Sequence, residues 1–273
     1  MSNFMAKFLI PSGRRTPKIS VCMPVYNTRP DHLRKCIESI LNQTFSDFEL
    51  LILNDSPDNK ELDAIVKSYK DPRIIYRKNK KNLGISASRN KLLDMARGEY
   101  IAVHDHDDRS YPERFARQAA FLDENPHYGA VSSDYTGEFQ DGETKDYVYI
   151  EHNNVGIKRM FYQCCAFLHP ACMLRKSVLD EHGLRYEAAY SPAEDYRLFT
   201  RMAEFTLFEI LPEFLLVYAN HDTNTHKMQW KRGRDLIDEI AFQFRNKFPF
   251  CATERNLEEL SKKIDTLTGI VPS

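Results

Sequence analysis

The sequence predicts an α/β fold, in which a mainly parallel sheet is flanked by helices and an α+β portion is built onto it. The chain has 273 residues, of which 42% are hydrophobic, so it can bury the core of one large domain. From Lys18 onward, short apolar runs alternate with helical patterns, an order typical of parallel sheets. After about residue 135 this alternation breaks into short apolar pieces separated by Gly, Asp, Asn and His. The second half is therefore expected to be α+β, with no clean linker to the first.

The elements of the first half follow from their apolar spacing. The run 19–25 is long enough for a strand that is buried on both faces. Thr28 is expected to cap the helix that Pro30 opens, whose apolar residues recur at helical spacing from Leu33 to Leu41. The further elements expected, in chain order, are a strand at 48–53, a helix around 62–69, a strand at 73–76, a helix at 86–96, a strand at 100–104 and helices at 176–181 and 194–202.

A helix with one apolar face is also expected near the C-terminus. The residues that mark this face are Leu236, Ile237, Ile240, Phe244 and Phe248. Packing against the rest of the chain is the favoured role. Docking on a membrane surface or on a partner is the alternative.

Charge and composition exclude several classes of function. Lys and Arg number 38, and Asp and Glu number 39, which gives a formal net charge of -1. No overall field favours nucleic acid, so no nucleic-acid partner is expected. The apolar runs fall far short of the roughly 20 residues that span a bilayer, and the N-terminus lacks a signal-peptide pattern. We expect a cytoplasmic protein, and peripheral contact with the inner face of the membrane stays open because the basic run 77–81 could attract anionic lipid.

The six cysteines give no sign of a zinc site, because they show no C-x-x-C spacing. Most of them lie inside apolar patterns, where a small buried thiol fits. We therefore expect reduced, structural cysteines.

Polar residues directly after the predicted strands are the first candidates for a site, because ligands of open α/β sheets bind outside the carboxyl ends of the strands. The strongest signal is the acidic segment that follows the strand at 100–104. Asp105, Asp107 and Asp108 repel one another there, and hard cations such as Mg²⁺ and Mn²⁺ prefer carboxylate oxygens. Alternation along an extended segment puts Asp105 and Asp107 on one side, where they could share an ion. A solvated acidic turn that caps the helix near Pro112 is the alternative.

A series of short motifs runs through residues 18–226. In chain order they are Pro24-Val25-Tyr26-Asn27, Asn42-Gln43-Thr44, Asn54-Asp55-Ser56, Asn82-Leu83-Gly84 with Ser88-Arg89-Asn90, the run 96–102 leading into Asp105-His106-Asp107-Asp108, His169-Pro170-Ala171, the run 193–198 with Arg201, and His221. Their order and spacing resemble the inverting GT-A glycosyltransferases of family 2. The resemblance implies a GT-A (Rossmann-like) fold with an N-terminal extension (1–17), a nucleotide-sugar-binding half (18–135), an acceptor-binding and catalytic half of the same domain (136–228) and a C-terminal helical segment (229–273).

The resemblance also implies a nucleotide pocket. Pro24, Tyr26 and Asn27 would line it, and Asp55 would accept the N3 hydrogen of uracil, which cytosine lacks. Asp105 would lie near the ribose or the waters of the metal. Arg89 could reach the nucleotide or its diphosphate, and an exposed helix arginine is the alternative.

The metal on the diphosphate, Mn²⁺ or Mg²⁺, is assigned by the resemblance to Asp107, with Asp105 beside it. A late histidine, His221, would reach the metal or the diphosphate, and His226 is the competing assignment. His106 could contact the sugar or the nucleotide, or point outward.

The catalytic base is assigned to Asp195, with Glu194 as a supporting or acceptor-binding residue and His169 on the acceptor side. On sequence alone, the two acids could instead serve the start of their helix, where carboxylates are favoured and Ser191 or Glu194 could act as cap. The resemblance favours the base, since a sugar hydroxyl becomes a competent nucleophile only as its proton is removed.

The expected function is transfer of a hexose from a UDP-sugar to a hydroxyl of a saccharide or lipid-linked saccharide, in surface polysaccharide biosynthesis. A sugar-phosphate nucleotidyltransferase and a non-catalytic nucleotide-sugar-binding subunit are the alternatives. The site residues carry this expectation, because a fold alone does not decide function.

Overall fold

The computed structural model describes residues 16–222, 224 and 228–248 of the chain. Its strands are β1 (Ile19–Val25), β2 (Phe48–Asn54), β3 (Ile74–Lys78), β4 (Tyr100–Val103), β5 (Arg109–Ser110), β6 (Tyr128–Phe139), β7 (Thr144–Tyr147), β8 (Met173–Arg175) and β9 (Leu207–Asn220). Its helices are α1 (Pro30–Leu41), α2 (Lys60–Ser68), α3 (Ile85–Met95), α4 (Arg114–Glu124), α5 (Asn154–Met160), α6 (Lys176–Glu181), α7 (Glu194–Met202) and α8 (Trp230–Lys247), with short 3-10 turns at His169–Ala171 and Ala188–Tyr190. The α/β class and the expected elements of the first half are confirmed.

The strands form one mixed sheet in the order β3-β2-β1-β4-β8-β6-β9-β5, and β7 pairs with β6. Strands β1 to β4 are parallel to one another, as expected from their alternation with helices, and the short β5 pairs antiparallel with β9. Antiparallel pairing begins at β8, which inserts between β4 and β6. The break in the sequence rhythm after about residue 135 therefore corresponds to a real change of sheet topology.

Two hydrophobic clusters cover the two faces of the sheet. Successive residues of β1 and β2 contribute to opposite clusters, since side chains alternate along a strand. Helices α1, α2 and α4 pack on one face, and α3 and α5 to α8 pack on the other. All seven residues of β1 are buried, which explains its unbroken apolar sequence.

The start of α1 differs from the expectation. Arg29 is the N-cap residue and no side chain caps the described helix start, so Thr28 lies one residue too early for its hydroxyl to reach the first free amides. Pro30 occupies the first turn, where its missing N–H costs nothing. The predicted cap at Thr28 is wrong.

Helix α8 packs on the body of the protein. Ile240 and Phe244 are buried in the same cluster as Phe161 and Phe199, so the favoured packing role of this helix is confirmed. Residues 1–15 and 249–273 lie outside the described part, and with them most of the expected N-terminal extension and the end of the C-terminal segment. None of the described helices is long and apolar enough to cross a membrane.

The five described cysteines, Cys22, Cys36, Cys164, Cys165 and Cys172, are free thiols. Burial raises the pKa of each above its ordinary value, so they stay protonated. The expectation of reduced cysteines is met in the described residues, and Cys251 lies outside them.

Candidate active site

A cleft of about 1410 Å³ opens at the carboxyl ends of β1, β2 and β4. The sequence-predicted site residues that line it are Pro24, Tyr26, Asn27, Asp55, Arg89, Asp105, Asp107, His169, Glu194, Asp195 and His221. They come from both halves of the chain. His226, the competing candidate for the metal, lies outside the described residues.

The loops after β1 and β2 are tied together at one end of the cleft. The backbone N–H of Asn27 donates to Ser56 Oγ at 2.8 Å, and the N–H of Ser56 donates to Asn54 Oδ1 at 2.7 Å. Asn27 has a φ of 44°, a left-handed conformation that asparagine tolerates better than most residues. Tyr26, next to it, is 51% exposed, so its ring is available to a ligand.

Asp55 organises the loop that leads into α3. Its carboxylate accepts hydrogen bonds from Asn79 Nδ2 at 2.7 Å, from the N–H of Leu83 at 2.9 Å and from the N–H of Gly84 at 3.0 Å. Gly84 has a φ of 82°, which favours glycine at this position. The N–H of Leu83 also lies 3.1 Å from Asp55 Oδ2, so these donors engage both carboxylate oxygens and fix Asp55 at the wall of the cleft.

Asp107 and His221 form a pair in the cleft although they are far apart in sequence. His221 Nε2 lies 2.8 Å from Asp107 Oδ2. Burial alone would raise the pKa of Asp107, but the hydrogen bond with His221 and the nearby His106 hold it at about 2, so the carboxylate is ionised. The next residue, Asp108, is buried and accepts a hydrogen bond from the N–H of Ala219 at 2.8 Å. This contact fixes the acidic turn against the end of β9.

The donor set of this pair fits a divalent cation that is shared with a diphosphate. Among the described residues, no group of three or more His, Cys, Asp or Glu side chains could hold an ion alone. One carboxylate and one imidazole suit Mn²⁺ or Mg²⁺ when phosphate oxygens complete the shell. The ring of His106 is mostly buried, so this side chain does not point fully outward. Its Nδ1 atom is also buried and lacks a hydrogen-bond partner in the described part of the chain.

Arg89 links carboxylates from the two halves of the chain. Its guanidinium donates to Glu194 Oε1 at 2.8 Å and to Asp105 Oδ1 at 3.1 Å, and the residue is only 9% exposed. Burial would lower its pKa, but these carboxylates outweigh burial and keep the pKa above its ordinary value. The alternative of an exposed helix arginine is wrong. Asp105 and Asp107 thus have different partners, Arg89 and His221.

Asp195 has the properties of a general base. It is half-buried at the start of α7, and its Oδ1 accepts a hydrogen bond from the N–H of Tyr196 at 2.7 Å. Burial and the neighbouring Glu194 raise the pKa of Asp195 to about 6, against the opposing charge of Arg89. At neutral pH this carboxylate is ionised and is a stronger base than an ordinary aspartate.

The capping alternative for the two acids is not what the helix shows. Ala193 is the N-cap residue of α7, and no side chain caps this described helix start. Glu194 pairs with Arg89 instead, and its Oε2 atom is buried with no hydrogen-bond partner among residues 16–222, 224 and 228–248. Glu194 therefore faces Arg89, while Asp195 accepts an amide hydrogen of the first turn and also lines the cleft.

His169 lies on the wall of the cleft and is 4% exposed. Its Nε2 atom is 2.8 Å from the hydroxyl of Tyr186, and burial lowers its pKa well below the ordinary value, so the ring is neutral. A fixed neutral ring gives this wall its shape and does not supply charge.

A buried network under the acidic turn was missed by the sequence reading. Arg114 is fully buried and donates to Ser110 Oγ at 3.1 Å and to the carbonyl of Val103 at 2.9 Å. His104 Nε2 lies 3.0 Å from the same Ser110 Oγ, and His104 Nδ1 lies 2.7 Å from the carbonyl of Asp105. Burial lowers the pKa of His104 to about 3, so it stays neutral. No local sequence signal marks Arg114, because its partners come from other elements.

The mixed sheet, with an acidic cleft at the carboxyl ends of its parallel strands, is the architecture of the GT-A glycosyltransferases. The profile of the family described as "Glycosyl transferase family 2" matches residues 20–183. The uncharacterized glycosyltransferase MJ1057 of Methanocaldococcus jannaschii is 34% identical over 241 residues, which cover 86% of this chain and 82% of the relative. The chain belongs to glycosyltransferase family 2.

Two solved structures share the fold. The structure of S. aureus TarS 1-349 in complex with UDP-GlcNAc has a TM-score of 0.65 at 19% identity, and the match covers 85% of this chain and 73% of that one. The mannosyltransferase PcManGT from Pyrobaculum calidifontis, in complex with GDP-Man and Mn²⁺, has a TM-score of 0.58 at 14% identity, covering 92% and 81%. The predicted GT-A architecture is confirmed.

Proposed function

We propose that the protein is a metal-dependent inverting glycosyltransferase that transfers a hexose from a UDP-sugar to a hydroxyl of a saccharide or lipid-linked saccharide acceptor. The observation that carries this proposal is the position of Asp195, a carboxylate with a pKa of about 6, in the same cleft as the Asp107–His221 pair. A base near neutrality and a diphosphate site in one cleft are what sugar transfer to a hydroxyl requires.

The donor would bind along the carboxyl ends of β1, β2 and β4. Asp55, which lines the cleft, would accept the N3 hydrogen of uracil, with Pro24, Tyr26 and Asn27 around the nucleoside. Asp107 and His221 would hold Mn²⁺ or Mg²⁺, which stabilises the charge that develops on the departing UDP. The complex of TarS with UDP-GlcNAc supports a uridine donor, and the complex of PcManGT with Mn²⁺ supports the metal.

The acceptor hydroxyl would meet Asp195 on the face of the sugar opposite the departing UDP. Asp195 takes the hydroxyl proton as the oxygen forms its bond to the anomeric carbon, and the bond from that carbon to the phosphate oxygen breaks. Attack from the opposite face inverts the anomeric centre. Glu194, held by Arg89, keeps a negative charge beside Asp195 and so maintains its basicity.

The proposed cellular role is the assembly of a surface polysaccharide, which is inferred from the family resemblance.

The test is a panel of UDP-glucose, UDP-galactose, UDP-N-acetylglucosamine and GDP-mannose with Mn²⁺ and a set of saccharide acceptors. We expect metal-dependent release of UDP from at least one UDP-sugar, and a β-linked product from an α-linked donor by NMR. Release of pyrophosphate from UTP and a hexose 1-phosphate, assayed in parallel, would identify a nucleotidyltransferase, and tight UDP binding without turnover in either assay would identify a binding subunit. Turnover of GDP-mannose alone would reject the uridine donor, and an α-linked product would reject inversion.

A further inference from the structure

Four tyrosines form a continuous group on the second half of the cleft wall, and we call this group the tyrosine wall. It comprises Tyr135, Tyr147, Tyr149 and Tyr218, all of which line the cleft that holds Asp107 and Asp195. The rings of Tyr135 and Tyr147 stack with centroids 4.9 Å apart and planes 6° apart. Tyr149 and Tyr218 lie 6.1 Å and 6.0 Å from Tyr135.

Strand register builds this wall from three separate strands. Tyr135 of β6 lies directly opposite Tyr147 of β7, and Gly137 of β6 lies opposite Tyr218 of β9. Residues two apart on a strand face the same side, and directly opposed residues share a face. The three rings therefore emerge on one side of the sheet around Gly137.

Gly137 makes room for the ring of Tyr147. A Cβ atom at this position would lie 2.8 Å from Cε2 of Tyr147, closer than packed atoms approach. A left-handed backbone does not explain this glycine, because Gly137 is not among the described glycines with a positive φ. A side chain at residue 137 would therefore displace the aromatic ring and leave the strand intact.

The tyrosine wall is not needed to fill the core. Tyr135, Tyr147 and Tyr218 belong to neither of the clusters that cover the sheet, and each is only partly buried. Tyr149 anchors the group, since it packs against the larger cluster. Stacked rings left at the wall of a polar cleft supply an apolar face and phenolic hydroxyls to a ligand.

The charges around Tyr218 locate the wall beside the reaction centre. Burial raises the pKa of Tyr218 above its ordinary value, and Asp108, Asp105 and Asp107 raise it further. Tyr218 precedes Ala219, whose N–H donates to Asp108 Oδ1. Tyr149 hydrogen-bonds with the backbone of Leu168, the residue before His169. Because Tyr135 contacts both Tyr218 and Tyr149, the wall connects the acidic turn with the part of the cleft around His169.

We propose that the tyrosine wall is the subsite for a pyranose ring of the acceptor saccharide. A pyranose has an apolar face of C–H groups and a rim of hydroxyls, which matches aromatic rings that carry hydroxyls. Lys145, whose ammonium lies 5.3 Å from the ring centroid of Tyr147, is exposed and can move aside. This inference rests on the proposed function, and it names the part of the cleft that selects the acceptor.

The experiment measures saccharide binding and UDP binding separately on the full chain with Mn²⁺. The probes are methyl β-glucoside, methyl β-galactoside and methyl β-N-acetylglucosaminide. Their binding is monitored by saturation-transfer NMR in the presence of UDP. We expect at least one glycoside to receive saturation at its ring protons. Tyr147→Ala and Gly137→Ala should each lower the affinity for that glycoside about fivefold or more.

UDP affinity should change less than about twofold in both variants, because UDP binds at the other end of the cleft. Tyr147→Phe, which keeps the ring, should retain most of the binding, and Phe242→Ala removes an exposed aromatic outside the cleft as the matched control. Wild-type protein that binds UDP and none of the glycosides would overturn the subsite alone. Equal glycoside affinity in Gly137→Ala and wild type, or a parallel loss of UDP affinity, would also overturn it. Failure of the wild type to bind UDP would instead reject the proposed function.

Discussion

Arg89 Nη1 donates a hydrogen bond to Glu194 Oε1 at 2.8 Å, across 105 positions of sequence. The pair joins α3 of the first half of the chain to α7 of the second half, and Asp105, 3.1 Å from Arg89, extends it to the acidic turn. Because both residues are buried, removal of Arg89 leaves Glu194 as an unpaired charge in a poorly solvated place, whereas removal of Glu194 leaves Arg89 paired with Asp105 alone. The pair therefore sets the electrostatics of Asp195 as well as the fit of the two halves.

Replacement of Arg89 should change the basicity of the neighbouring carboxylate. The charge of Arg89 lowers the pKa of Asp195, so Arg89→Gln should raise that pKa above about 6 and move the acidic limb of the kcat profile to higher pH. The measurement is kcat against pH for the variant, with circular dichroism to confirm folding. Arg185→Gln, which removes a half-exposed arginine that pairs with Asp94 and Asp180, is the matched control. An unshifted limb in folded Arg89→Gln protein would contradict the electrostatic coupling.

The wild-type enzyme should itself lose activity on acidification. Asp195 accepts a proton only when it is ionised, and its pKa lies at about 6. Below this pH the ionised fraction falls about tenfold per unit, and kcat should fall with it. Turnover measured from about pH 5 to about pH 8 at saturating donor and acceptor tests this, and a flat profile over that range would exclude Asp195 as the base.

Chelation should abolish turnover, and a metal-site variant should reproduce the effect. Asp107→Asn removes the ionised oxygen donor beside His221, and loss of one charge-stabilising group typically costs about 10²- to 10³-fold in kcat. UDP release with EDTA, with Mn²⁺ restored and in the variant is the measurement. Asp94→Asn removes an exposed carboxylate outside the cleft, so this control should release UDP at the wild-type rate. Full activity in EDTA would show that the Asp107–His221 pair has another role.

Asp55 should make the site prefer uracil. UDP should bind at least about tenfold better than CDP, a difference of roughly 1.4 kcal/mol, because cytosine has no N3 hydrogen to donate. Asp55→Asn should reduce the preference, and Asp58→Asn, an exposed neighbour, should leave it unchanged. Calorimetry with both nucleotides gives the ratio. Equal affinities of the wild type for UDP and CDP would contradict the recognition of uracil N3 by Asp55.

The same variant should also unfold more easily. An amide nitrogen in place of one Asp55 oxygen cannot accept the hydrogen bonds of Asn79, Leu83 or Gly84, and an unsatisfied buried donor costs about 1–3 kcal/mol. Binding is therefore compared at a temperature well below the unfolding transition of both proteins.

The local parts of this structure could be predicted from the sequence, and the parts made by distant contacts could not. Helix α7 begins and ends at the predicted residues Glu194 and Met202, because apolar residues recur at helical spacing within this short segment. β1 was expected from its unbroken apolar run and is buried throughout. The capping expectation at Thr28 failed because the helix starts one residue later, a difference that apolar spacing does not resolve.

Within the site, the family resemblance brought Asp55, Asp107, Asp195 and His221 together, and the structure places all four on one cleft. It did not indicate that Arg89 would bind Glu194, since the contact depends on how two helices from different halves meet. The tyrosine wall depends on the register of three strands, and register is fixed by pairing between strands that are remote in sequence.

The central claim is that Asp195 removes the proton of the acceptor hydroxyl. Asp195→Asn keeps the size and shape of the side chain and removes its ability to take that proton. The decisive measurement is kcat of this variant with donor and acceptor saturating, together with its affinity for UDP. We expect kcat to fall about 10²- to 10⁴-fold while UDP affinity stays within about twofold of the wild type, because Asp195 acts only on the acceptor. A near-normal kcat in Asp195→Asn would contradict the assignment and would move the base to another group in the cleft.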